Sequence, residues 1–135
     1  MRVLVDTNVL LSAFLFPNGQ ASKAFNHCID IATVVICSYV MDEAERVVRK
    51  KFPDRTSDIQ KFFESFAYEF VYTPDSIPDN DLKMRDENDI PILYTAKREH
   101  VDIILTGDND FTSLNLDSPK ILSPSEFLTI ELKQA

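Results

Sequence analysis

The chain has 135 residues, 44% of them hydrophobic and 27% charged, with a net charge of −8. This is the make-up of one ordinary globular domain spanning 1–135, and it excludes a collagen-like fibre, a long disordered chain and a disulfide-built miniprotein. No apolar run approaches the roughly 18 residues of a membrane span, and Asp6 and Asn8 interrupt the apolar N-terminus too early for a signal peptide.

The elements follow in chain order. Val3-Leu4-Val5 is a short apolar run of the kind a buried strand uses, and Asp6-Thr7-Asn8 closes it. Thr7 or Asn8 is suited to cap a first helix carrying Val9, Leu10, Ala13 and Phe14. After the turn at Pro17-Asn18-Gly19, residues Ala21, Ala24, Phe25, Cys28, Ile29 and Ala32 fall on one face of a second helix. Thr33–Cys37 is β-branched and reads as a second strand. Ser38 is expected to cap a third helix, whose stripe is Val40, Met41, Ala44, Val47 and Val48 and which ends before Pro53.

A fourth helix carries Ile59, Phe62, Phe63 and Phe66, and Phe70-Val71-Tyr72 is a third strand. The polar stretch from Thr73 to Asn88 reads as a loop. Ile92, Leu93 and Ala96 mark a fifth helix with Pro91 in its first turn. Asp102–Thr106 is a fourth strand, followed by Gly-Asp-Asn-Asp, and Lys120-Ile121-Leu122 is a fifth. Ser123-Pro124-Ser125-Glu126 is a capping box opening a last helix. Short, wholly apolar strands that alternate with helices imply an α/β fold with a central parallel sheet.

In such folds ligands sit beyond the C-terminal ends of the strands, where strand order reverses. Asp6 ends the first strand; Asp108 and Asp110 follow the fourth; Asp89 stands at the start of the fifth helix; Glu43 lies on the border of the third helix's apolar stripe. Four chain segments thus bring carboxylates toward one end of one sheet. Carboxylates placed together repel and resist ionisation, which a divalent cation relieves, and an all-oxygen set suits Mg²⁺ or Mn²⁺. No Ser–His or Cys–His pairing and no P-loop is evident, and His27 and His100 lie away from the strand ends. Metal-assisted phosphodiester hydrolysis is the chemistry this pattern favours. The acidic net charge argues against binding nucleic acid by overall basic charge, but a bound metal inverts the local field.

Val3-Leu4-Val5-Asp6-Thr7-Asn8-Val9-Leu10 resembles the opening of PIN-domain nucleases. Ser38 with Glu43, then Asp86-Glu87-Asn88-Asp89 with Ile-Pro-Ile-Leu-Tyr-Thr-Ala, then Leu105-Thr106-Gly107-Asp108-Asn109-Asp110-Phe111 resemble that family's further elements, in order. The closing Ile121–Leu128 fits as well. The resemblance implies a three-layer α/β/α fold and Mg²⁺- or Mn²⁺-dependent ribonuclease activity. It implies Asp6, Glu43, Asp89 and Asp108 as the acidic, metal-holding cluster, with Asp86 and Asp110 as alternates and Asp42 a weaker one. Asn8, Ser38 and Thr106 become the polar neighbours that orient it. The small VapC-like branch further implies a homodimeric toxin held by an antitoxin protein.

Each residue also has an ordinary role to set against this one. Asp6 and Asp89 suit helix caps, Glu43 a solvated helix face, and Asp108 and Asp110 a turn. Phe62, Phe63 and Phe66 are expected in the core rather than as an RNA platform. Arg46, Arg49, Lys50, Lys51 and Arg55 complement a helix C-terminus or else contact an RNA backbone. A haloacid-dehalogenase-like phosphatase needs a second Asp where Asn8 stands, and a phosphoacceptor module matches poorly around Tyr72–Asp75. A PIN scaffold that only binds is the remaining alternative. Cys28 and Cys37 have neither metal nor framework spacing, so reduced thiols in a cytoplasm are expected.

Overall fold

The computed structural model describes residues 1–76, 89–108, 111 and 118–130. Five strands, β1 (Arg2–Val5), β2 (Thr33–Cys37), β3 (Glu69–Val71), β4 (Ile103–Leu105) and β5 (Lys120–Leu122), form one sheet. All pairings are parallel and the order is β3-β2-β1-β4-β5. This is the α/β architecture expected from the sequence. Parallel neighbours need crossovers, and the helices supply them: α1 (Thr7–Leu15) and α2 (Gln20–Ile31), α3 (Ser38–Lys51) and α4 (Thr56–Glu64), α5 (Ile90–Arg98), and the short α6 (Pro124–Phe127) after β5. Right-handed crossovers place α1–α4 on one face and α5 on the other.

The strands read as continuous apolar runs because both faces are covered. Val3, Leu4, Val5, Val35, Ile36, Ile104 and Leu105 are all buried. The helices bury the stripes their spacing gives: Val9, Leu10, Ala13 and Phe14 from α1, Ala24, Phe25 and Cys28 from α2, Val40, Ala44 and Val48 from α3, and Ile59 and Phe63 from α4. The phenylalanine stripe is core. Phe62 meets Phe14 at 5.4 Å and Phe25 at 5.8 Å, and Phe66 meets Phe25 at 4.9 Å.

Several boundaries differ from the sequence reading. The third strand is Glu69–Val71, because pairing with β2 ends at Cys37 opposite Val71 and leaves Tyr72 beyond the ladder. The fourth is Ile103–Leu105, although the flanking Asp102 and Thr106 still donate their N–H groups to Arg2 and Leu122 carbonyls. Asp6, not Thr7 or Asn8, caps α1. Ser38 is the first residue of α3, with Cys37 at the cap position, so its hydroxyl does not cap. The capping box on α6 forms as expected, with Ser123 and Glu126 exchanging hydrogen bonds. With glycine so scarce, α5 is followed by His100 in the left-handed region, at φ 54°.

Arg2 fastens the N-terminal end of the sheet. Its guanidinium donates to both Glu69 carboxylate oxygens, at 2.9 and 2.7 Å, and reaches the carbonyl and side chain of Glu99, while its backbone N–H meets Asp102 at 2.7 Å. One side chain thus links β1 to β3 and to the end of α5. Arg2→Met keeps the aliphatic stem and removes the clip. Because Glu69 can rehydrate, we expect a loss of about 1–2 kcal/mol, measured by denaturant unfolding.

Candidate active site

The chain leaves β1 toward β2 and leaves β4 toward β5, in opposite directions across the sheet. The point where order reverses lies between β1 and β4, and the crevice beyond their C-terminal ends is the natural ligand position. Asp6 is the first residue after β1, and Thr106-Gly107-Asp108 is the first segment after β4.

Asp6 is only 2% exposed. Its backbone N–H bonds the Leu105 carbonyl at 3.0 Å, so the sheet ladder fixes its position. One carboxylate oxygen accepts the Thr7 N–H at 2.8 Å, the other the Thr106 hydroxyl at 2.8 Å. The Thr106 oxygen in turn accepts the Asp108 N–H at 3.0 Å. Thr106 therefore joins the two lips of the crevice and sets where Asp108 begins.

Burial pushes the Asp6 carboxyl from 3.8 up to about 6. The bonds from Thr106 and Thr7 pull the other way, and the negative charges of Asp108 and Glu43 push it up further. Two of the other acids singled out in the sequence thus act on Asp6. Glu43 reaches the site from α3, a partly buried side chain 3.9 Å from Arg46. Asp89 stands at the start of α5, 8% exposed and without a side-chain capping bond. Asp86 and Asp110 lie outside the described residues. Among the described residues, no three His, Cys, Asp or Glu side chains are gathered closely enough to hold a metal ion as they stand.

Asn8 is exposed and, with Ser12, Gly107 and Asp108, lines a cavity of about 230 Å³ beside the crevice. The Ser38 hydroxyl accepts the Thr73 N–H at 2.9 Å. Thr73 also accepts from Thr95 at 3.2 Å and from the Tyr39 N–H at 3.4 Å. Thr73 and the buried Thr95 were not singled out from the sequence, where lone threonines carry no signal. Of the basic residues, Arg49, Lys50 and Lys51 occupy the last turn of α3, where they complement the helix dipole. Arg55 stacks over Phe14 at 4.4 Å.

The fold is a parallel α/β sheet with an acidic crevice at its switch point, and the comparison with known families identifies it. The PIN-domain profile matches residues 2–110, and the chain belongs to the PIN-domain family. Its fold is similar to that of VapBC2 from Rickettsia felis, solved bound to a DNA fragment from their promoter. The TM-score is 0.67 at 17% identity, covering 91% of this chain and 98% of that one. No curated protein matches by sequence. No described helix is long and apolar enough to cross a membrane.

The raised Asp6 carboxyl has a consequence for stability. Between its unfolded value of 3.8 and its folded value of about 6, the folded state binds more protons, so stability falls as pH rises through that window. The full loss, on the order of 3 kcal/mol, is present above it. Asp6→Asn removes the charge but leaves one of its two donors, the Thr106 hydroxyl or the Thr7 N–H, without its acceptor. In chelator at pH 7.5 the variant should melt a few degrees higher than wild type. Near pH 4 the order should reverse or vanish. Parallel melting curves across pH 4–8 would show that Asp6 carries no buried charge.

Proposed function

We propose that this protein is a metal-dependent ribonuclease and the toxin of a toxin–antitoxin pair. The observation that carries this reading is Asp6, a buried carboxylate on which two further negative charges act and, among the described residues, no cation. An all-oxygen donor set in that condition fits a divalent ion better than it fits itself. Asp6 is the fixed ligand, oriented by Thr106 and Thr7. Glu43 and Asp108 are half-buried and can turn to complete the set, with Asp89 as the fourth acid and Asp86 and Asp110 as alternates. A bound Mg²⁺ or Mn²⁺ supplies an activated water and stabilises charge on the phosphoryl oxygens. Asn8, exposed beside Asp108, presents a neutral amide to a phosphate or ribose.

Arg46, Arg49, Lys50 and Lys51 form the strip that holds the RNA backbone. Arg46 is near Glu43, and Lys50 is about 6 Å further along the helix. In a chain of net charge −8, such a strip confines attraction for phosphate to one side of the site. Membership of the PIN-domain family, with a fold like that of VapBC2, supports an antitoxin partner, and a homodimer acting in the cytoplasm completes this reading.

Purified protein incubated with a mixed RNA pool should cleave with Mg²⁺ or Mn²⁺ and stop in chelator. Asp6→Asn and Glu43→Gln should cut at background. Added Mg²⁺ should raise the Tm of wild type by mass action and that of Asp6→Asn much less. Cleavage undiminished in chelator would refute the metal mechanism. Separately, reversing Arg49, Lys50 and Lys51 together should weaken RNA binding and flatten its salt dependence, by up to about 0.7 in the log–log slope per lost contact. An unchanged slope would return those residues to a solvated helix end.

A further inference from the structure

β3 is an edge strand, and just beyond it stands Tyr72, 78% exposed. Phe70, 38% exposed, lies two residues earlier, and the two rings meet edge to face at 5.1 Å and 89°. Val71 between them is buried, so both rings stand on the opposite side of the strand. They border a groove of about 650 Å³ whose other wall is Arg98 and Glu99 at the end of α5. The core makes no use of this pair, and two large aromatic rings held together in solvent are more than the scattered apolar exposure of an ordinary surface.

The register places Tyr72 at the level of the site. Leu4 pairs with Val35, and Cys37 pairs with Val71, so Asp6 lies level with Cys37 and Val71. Two strand spacings separate them, about 10 Å, the span of one or two nucleotides in an extended strand. The neighbouring Thr73 is bonded to Ser38, Tyr39 and Thr95. Ser38 opens the helix that carries Glu43, so the backbone beside Tyr72 is tied to that helix's start. The groove's charges are Glu69, Asp75, Glu99 and Arg98, with Arg2 paired to both glutamates. That rim does not attract a phosphate. A flat neutral group is what suits it.

We infer that Tyr72, propped by Phe70, stacks a base of single-stranded RNA one or two nucleotides from the bond cut at Asp6. The inference rests on the ribonuclease reading above and adds a subsite to it. Aromatic stacking of this kind tolerates any base, so it adds affinity without sequence choice.

The chain has no tryptophan, so Tyr72→Trp in an Asp6→Asn background creates a single fluorophore. A short oligoadenylate should quench it, and a strand of equal length with abasic positions should not. In the same background Tyr72→Ala should weaken oligoadenylate binding roughly ten- to a hundredfold. Tyr72→Phe should preserve it and Tyr72→Leu should not, since stacking needs the ring rather than the hydroxyl or apolar bulk. With Asp6 intact, Tyr72→Ala should raise KM on short RNA. Equal affinity of the alanine and tyrosine forms, with RNA still bound and cut, overturns this subsite alone. Leucine performing as well as phenylalanine, or a changed oligomeric state at unchanged RNA affinity, overturns it in favour of a protein docking there. Failure of the wild type to bind or cut any RNA overturns the ribonuclease reading and this subsite with it.

Discussion

The hydrogen bond from Thr106 to Asp6 spans the point where the sheet's strand order reverses, and the rest of the site is arranged around it. A carboxylate with almost no contact with water is unfavourable in its charged form, and two hydrogen bonds offset only part of that cost. Such a residue persists because the structure around it is over-determined. β1 lies between β2 and β4, both pairings in register, and the Asp6 N–H is itself part of the ladder. The Asp6 side chain has nowhere to go. Glu43 and Asp108 approach from elements that begin elsewhere, so their distances from Asp6 can adjust while Asp6 stays fixed.

The fold was legible because its physics is local and repetitive. Val3-Leu4-Val5 and Thr33–Cys37 are apolar on both faces, which only a covered parallel sheet accommodates, and each helix stripe buries the residues its period selects. Boundaries were less legible because they are set by partners. Whether Tyr72 belongs to β3 depends on where β2 ends, which the Phe70-Val71-Tyr72 run does not contain. Ser38 had the chemistry of a cap, but the open N–H nearest its hydroxyl belongs to Thr73, 35 residues away.

The site was legible to the extent that it sits at strand ends. Asp6, Thr106 and Asp108 follow directly from the strands that carry them, and Glu43 from its place on the border of a helical stripe. Asp6 does cap α1, through one oxygen, while its other oxygen accepts the Thr106 hydroxyl, so capping does not use the whole carboxylate. The Thr73–Thr95 contact and the Tyr72–Phe70 pair escaped notice in the sequence for one reason. Their meaning lies in which element packs beside β3, and neither threonines nor aromatic residues in a short strand announce a neighbour.

The two ends of the sheet treat the same residue types in opposite ways. At the N-terminal end, Glu69 and Glu99 meet the Arg2 guanidinium, which holds the Glu69 carboxyl below the usual carboxylate range. At the C-terminal end, Asp6 meets a backbone N–H and a neutral hydroxyl, and the charges that reach it are negative, so its carboxyl is raised. Nothing in the composition forces this asymmetry, since 14 Lys and Arg residues are available to the chain. An arginine facing Asp6 would stabilise the fold, as Arg2 does at the other end, but it would also occupy the position of a divalent cation. On the function proposed above, a fold that neutralises its acids at one end and leaves negative charges acting on Asp6 at the other keeps that second end for a cation from outside the chain. This is why the buried Asp6, and not the count of acids, carries the nuclease reading.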